Sequence, residues 1–117
     1  MLLPVSAPFH CSLMLPAGDR LATVLQGIEV GEMTLPVVSN VEAAPNQDAS
    51  RVRELLIKQV SAPVRWQETI AACVDLGVDR YIEIGPGKVL SGLVKRIAKD
   101  GTIQNVQNVA DIRALAG

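Results

Sequence analysis

One histidine occurs in 117 residues, and it stands in Ala7-Pro8-Phe9-His10-Cys11. Imidazole is the side chain whose ordinary pKa, about 6.5, lets it accept and return a proton near neutrality, which makes His10 a candidate general base. A loop histidine that only hydrogen-bonds its own connection is the competing reading, and position alone leaves both open. Cys11 and Cys73 are far apart, match no metal or redox spacing and read as reduced thiols, so neither a disulfide nor a metal site is expected. Gly85-Pro86-Gly87-Lys88 lacks the longer glycine spacing of a phosphate loop and the serine or threonine that would follow the lysine. Its glycines read instead as a tight turn. Lys88, Lys95, Arg96 and Lys99 gather at and after that turn, with Lys95, Arg96 and Lys99 on adjoining parts of one helix surface. Such a charge run is either a solvated face or a docking patch.

The elements that must position these groups emerge from periodicity and from proline and glycine. Residues 1–5 are apolar and short enough for a buried strand, and a helical pattern with Leu13, Met14, Ala17, Leu21, Val24 and Leu25 runs over 12–26. Pro16 fits that helix if the start falls near Leu13 or Leu15, and Gly27 stops it. His10 therefore lies on a strand-to-helix connection, where a side chain can be aimed at a cleft. The β-branched run 36–41 predicts a short buried strand, and 42–49 reads as a loop. Asp48 or Ser50 caps a helix that buries Val52, Leu55, Leu56 and Val60 and ends at Pro63. A further helix over 66–76 presents Ile70, Ala71, Cys73 and Val74 as its buried face, and Gly77 closes it. A strand over 80–84, the glycine turn, a helix over 89–99, a strand over 102–106 and a helix over 109–115 complete the chain. Alternation of this kind argues for an α/β arrangement with a mainly parallel sheet and flanking helices. The turn at the carboxyl end of the strand over 80–84 is where a substrate crevice is expected.

Composition removes several classes. With 49% hydrophobic and 20% charged residues the chain has the balance of one small globular domain. A net charge of −1 gives no basic excess for nucleic acid, and one Phe, one Trp and one Tyr are too few for a stacking platform. The N-terminal run lacks a basic flank, is broken by Pro4, and is too short for a signal or membrane segment. A soluble, cytoplasmic protein with no membrane partner is expected.

Three separated motifs, Pro4-Val5-Ser6-Ala7-Pro8-Phe9-His10-Cys11-Ser12-Leu13-Met14, Pro63-Val64-Arg65-Trp66 and Glu83-Ile84-Gly85-Pro86-Gly87-Lys88-Val89-Leu90-Ser91-Gly92-Leu93, together resemble the malonyl-coenzyme A:acyl carrier protein transacylases. The resemblance implies a C-terminal portion of such an enzyme, beginning just before its catalytic histidine. Residues 1–117 would then form the C-terminal fragment of the large, α/β-hydrolase-like subdomain. The missing N-terminal half would hold the serine of a Gly-His-Ser-x-Gly turn, a carboxylate-binding arginine and a glutamine. On this reading His10 is the base of an acyl-serine mechanism, and the backbone carbonyl of Gln59 orients it. Phe9 resembles the residue before histidine in the His-Ala-Phe-His pattern of malonyl-selecting polyketide acyltransferases, and Asn40, at a strand end, lines the cleft. Lys95 and Arg96 face the acidic acyl carrier protein. The implied partners are that carrier, malonyl-coenzyme A and the N-terminal half, with no cofactor beyond the carrier's own phosphopantetheine. The fragment alone is expected to be inactive. An acyltransferase domain of a polyketide synthase and a non-catalytic carrier-binding fragment are the alternatives.

Overall fold

Pro16 shapes the first helix. A single 3-10 turn, Ser12–Met14, leads into α1 (Leu15–Gln26), and Pro16 sits in its first turn, where a missing N–H breaks no helical bond. The computed structural model describes residues 8–117, so the strand predicted over 1–5 lies outside the described residues. Two units divide the chain, Met1–Thr69 and Ile70–Gly117.

In the first unit α1 packs on α2 (Val52–Ser61), with Leu25 and Leu55 buried. Arg53 of α2 donates from Nε to the Leu25 carbonyl at 2.9 Å, which also accepts from the Ile28 N–H at 3.2 Å, and from Nη2 to the Ile28 carbonyl just beyond the end of α1. Gly18 lies against the same helix, 3.8 Å from the Ile57 carbonyl oxygen measured from where a Cβ would stand. The strand predicted over 36–41 shrinks to β1 (Val37–Val38), and its antiparallel partner β2 (Pro45–Asn46) comes out of the predicted loop. The reason is a turn. Ser39 accepts from the Ala43 N–H at 2.9 Å with its carbonyl and from the Glu42 N–H at 3.3 Å with its hydroxyl, and Ala43 takes a left-handed φ of 52°. Val37 is 57% exposed, so this run is not the buried strand the β-branched residues suggest. Of the two candidate caps it is Asp48 that acts, accepting from the Ser50 N–H at the head of a 3-10 turn, Ala49–Arg51, which leads into α2.

The helix α3 (Trp66–Asp75) crosses the boundary between the units. It ends in a paired cap in which Gly77, at φ 85°, donates to the Val74 carbonyl and Val78 to the Cys73 carbonyl. Its predicted buried face holds only in part. Ile70 is buried together with Thr69, but Ala71 and Val74 are exposed and Cys73 is half-buried. Apolar spacing marks the side a helix can bury; burial needs a covering element, and these residues have none among the described ones.

The second unit is built on β3 (Arg80–Ile84) and β4 (Thr102–Val106), parallel and in register from Arg80↔Thr102 to Ile84↔Val106, with α4 (Val89–Ile97) connecting them and α5 (Val109–Ala116) after them. Val94, Ala98 and Val106 form its core. The turn between β3 and α4 has Gly85 at φ 130° and Gly87 at φ 85°, conformations that require glycine. It is tied to the end of β4 by the Gly85 N–H on the Val106 carbonyl and the Gly87 N–H on Gln107 Oε1. Glu83, on β3, reaches the start of α4. Its carboxylate accepts from the Ser91 hydroxyl at 2.6 Å, the Ser91 N–H at 2.8 Å, the Leu90 N–H at 3.2 Å and Asn105 Nδ2 at 3.3 Å. A negative charge there satisfies the free N–H groups of the first turn and the positive end of the helix dipole.

Ser91's hydroxyl first, and then the backbone N–H groups, hold the Glu83 carboxyl below the usual glutamate range. A carboxyl lowered by folding contributes stability that is complete above its unfolded value, about 4.3, and is lost as the pH falls through the lowered value. Glu83→Gln should therefore flatten the acid limb. Denaturant unfolding compared between neutral pH and about pH 3 should show the wild type losing more stability than the variant. Equal losses would remove Glu83 from that role.

Candidate functional site

His10 sits in a backbone conformation that few side chains adopt. Its φ is 55°, in the left-handed region where histidine is one of the more tolerated residues and where strain of order 1 kcal/mol is held by surrounding contacts. Those contacts are short-range on either side. The Cys11 thiol donates to the Pro8 carbonyl at 3.0 Å, and the Met14 N–H closes a turn on the Cys11 carbonyl at 3.0 Å. The imidazole is thereby turned toward α2, where Nδ1 lies 2.9 Å from the backbone carbonyl oxygen of Gln59. A carbonyl oxygen has no proton to give. In the neutral ring Nδ1 must then carry the proton, and Nε2 keeps its lone pair exposed to whatever approaches the ring. An exposed Nε2 in this tautomer can take a proton from a hydroxyl or thiol.

The Gln59 carbonyl belongs to the last turn of α2, one of the acceptors that a helix cannot satisfy from within. The chain leaves this helix end along a fixed path. The Arg65 N–H donates to the Asn40 carbonyl at 3.0 Å, and the Arg65 guanidinium reaches the carbonyls of Val41 at 3.5 Å and Glu42 at 3.1 Å. The same guanidinium pairs with Glu68, which it holds below the usual carboxylate range. One arginine thus joins the turn after β1 to the segment after α2. Beside Gln59 is an apolar cavity of about 190 Å³ lined in part by Val38, Asn40, Asn46, Leu55 and Gln59.

Of the residues singled out in the sequence, His10 and Gln59 are in direct contact, and Asn40 and Gln59 line one cavity. Asn40 is not at a strand end: it belongs to the turn after β1, because the strand stops at Val38. Phe9 is 56% exposed beside His10. Lys95 and Arg96 belong to the second unit, exposed in the last turn of α4, and neither forms an ion pair among the described residues. Burial pushes the Cys73 thiol up, the opposite of what a reactive thiolate needs. Among the described residues no group of three His, Cys, Asp or Glu side chains could hold a metal ion, and no helix is long and apolar enough to cross a membrane. Two groups escaped the sequence reading. Arg65 stood in plain sight within Pro-Val-Arg-Trp, but nothing in one sequence pairs it with residues 40–42. Glu83 could have been found as an acid just ahead of a glycine turn that opens a helix.

No protein-family model matches the chain. Over 113 residues, 97% of the chain, it is 41% identical to the malonyl CoA-acyl carrier protein transacylase of Haemophilus influenzae, 36% of which is covered. The enzyme of the same name from Bacillus subtilis is 46% identical over 95 residues, 81% of the chain and 30% of that protein. The crystal structure of an acyl carrier protein S-malonyltransferase from Vibrio cholerae matches with a TM-score of 0.88 and 43% identity over 97% of this chain and 37% of that one. A malonyl-transacylase solved in complex with a type II polyketide synthase acyl-carrier protein matches with a TM-score of 0.87 and 46% identity, over 96% of this chain and 36% of that one. The chain spans about a third of the length of the curated relatives it matches. It has an α/β fold and is similar, over nearly its whole length, to a C-terminal portion of the malonyl CoA-acyl carrier protein transacylases.

Proposed function

We infer that this chain supplies the general base of a malonyl transfer from coenzyme A to the thiol of an acyl carrier protein, as a step of fatty acid synthesis. The observation that carries the reading is the 2.9 Å contact of His10 Nδ1 with the Gln59 carbonyl, in a homologue of malonyl transacylases. In the first half-reaction Nε2 takes the hydroxyl proton of a serine as that oxygen attacks the malonyl thioester. The C–S bond breaks, the coenzyme A sulfur leaves with the proton returned by the ring, and a malonyl-serine ester remains. In the second half Nε2 takes the proton of the carrier's phosphopantetheine thiol, the sulfur attacks the ester carbonyl, and the serine oxygen departs with that proton. No cofactor of the protein's own enters this sequence.

The serine belongs to the part of such enzymes that residues 1–117 do not span, and the chain by itself is the C-terminal fragment of the large subdomain. Ser91, the one serine of the second unit, supports this placement of the nucleophile outside that unit. Its hydroxyl donates to Glu83 and accepts from Asn105, so its proton is already committed to a carboxylate. Phe9 beside the base favours an unsubstituted malonyl group, since a ring there crowds a substituent on the α-carbon. Asn40 lines the acyl side of the site. Lys95 and Arg96 form the docking face for the acidic carrier, a surface that steers encounter more than it adds affinity. A cytoplasmic location goes with this chemistry. A carrier of polyketide synthesis is the second reading, favoured by the relative solved in complex with a type II polyketide synthase carrier.

In the complete protein His10→Ala should lower steady-state malonyl transfer by about 10²–10⁴-fold, the usual worth of a positioned base. Its circular dichroism spectrum should stay that of the wild type, because the ring is exposed. Wild-type transfer by a folded variant would end the assignment. Reversing both charges in a Lys95→Glu, Arg96→Glu variant should raise KM for the carrier and weaken its salt dependence, with KM for malonyl-coenzyme A little changed. A similar rise for both substrates would speak against a docking face.

A further inference from the structure

We propose that Pro63 is a positioning residue for the base: by having no N–H, it reserves the Gln59 carbonyl for His10. In an α-helix the carbonyl of residue 59 accepts from the N–H of residue 63. Here that residue is proline, and the donor does not exist. The neighbouring carbonyl shows the contrast, since Lys58 accepts in the ordinary way from the Ala62 N–H at 3.2 Å. The first acceptor of α2 left without its helical donor is therefore the one that His10 Nδ1 approaches at 2.9 Å.

Pro63 acts a second time through the residue before it. Its ring disfavours the helical region at position 62, and Ala62 has φ −93° and ψ 151°, an extended conformation that stops α2 at Ser61. Without that restriction Ala62, a strong helix former, could take helical angles and carry the N–H of residue 63 over the Gln59 oxygen. The imidazole would then compete with a backbone donor of fixed geometry. The loss would fall on the tautomer: with Nδ1 no longer held as donor, part of the neutral ring would carry its proton on Nε2, where it cannot act as a base. The path after Pro63 is anchored by the Arg65 N–H on Asn40, so the proline sets the helix end while the arginine holds the segment beyond it.

This role for Pro63 rests on His10 being the base, and the test separates the two. Two variants of the complete protein are compared with the wild type: Pro63→Ala, and a chain with lactic acid incorporated at position 63, whose ester linkage removes the ring and also has no N–H. Nitrogen-15 NMR of labelled histidine reads the His10 tautomer, the signal being identified by its loss in His10→Ala, and steady-state kinetics reads kcat and KM. The expected result for Pro63→Ala is a rise in the Nε2-protonated form and a fall in kcat of about tenfold or more, with KM for both substrates within twofold or so of the wild type. The ester variant should recover the wild-type tautomer and most of kcat. A wild-type tautomer in Pro63→Ala would overturn the proposal. So would equal impairment of both variants, which would assign the effect to packing of the proline ring. If the tautomer shifts as expected while His10→Ala keeps full transfer, the hydrogen-bond account of Pro63 stands and the catalytic reading of His10 falls.

Discussion

The hydrogen bond between His10 Nδ1 and the Gln59 carbonyl is the constraint on which the site depends. Many histidine bases are oriented by a carboxylate, which both holds the ring and stabilises its charged form. A backbone carbonyl does the first and offers only a partial charge for the second. It has a compensating property: being part of a helix end, it cannot rotate away, and its position is as rigid as the packing of α2. The strained φ of His10 and the thiol contact of Cys11 with Pro8 serve the same end from the other side. Ring and acceptor are each over-determined by local bonds.

Rigidity of α2 in turn has identifiable sources. Leu25 and Leu55 are buried where α1 meets α2, and Arg53 ties the far end of α1 to the second helix through two carbonyls. Hydrogen bonds made by a charged group contribute about 1.5–3 kcal/mol each when desolvated, and less at a partly exposed site. Arg65 fixes the exit path through Asn40, Val41 and Glu42. The second unit repeats the logic with a carboxylate: Glu83 fastens the start of α4 so that the glycine turn after β3 keeps its shape.

Much of this was legible in the residues, for reasons that differ by element. The strands 80–84 and 102–106 and the flanking helices were marked by apolar patterning bounded by glycine, and the structure places β3 and β4 at those limits. His10 stood out as the only imidazole. Gln59 stood out only through the family resemblance, because its side chain takes no part in the contact: the partner of His10 is a backbone carbonyl, which every residue has. Its distinguishing mark is a proline four positions later. The run 36–41 misled because β-branched residues favour a strand only until turn chemistry intervenes, and Ser39 intervenes with two acceptors. The apolar side of α3 misled differently: Val74 is 45% exposed because periodicity reports a face and not the element that would cover it.

The base catalysis proposed for His10 turns on where one proton sits, and neutron diffraction from a deuterated crystal at neutral pH would see it directly. The prediction is a deuteron on His10 Nδ1 pointing at the Gln59 carbonyl oxygen, and none on Nε2. A deuteron on Nε2 with Nδ1 bare, or an imidazole turned away from Gln59, would contradict it.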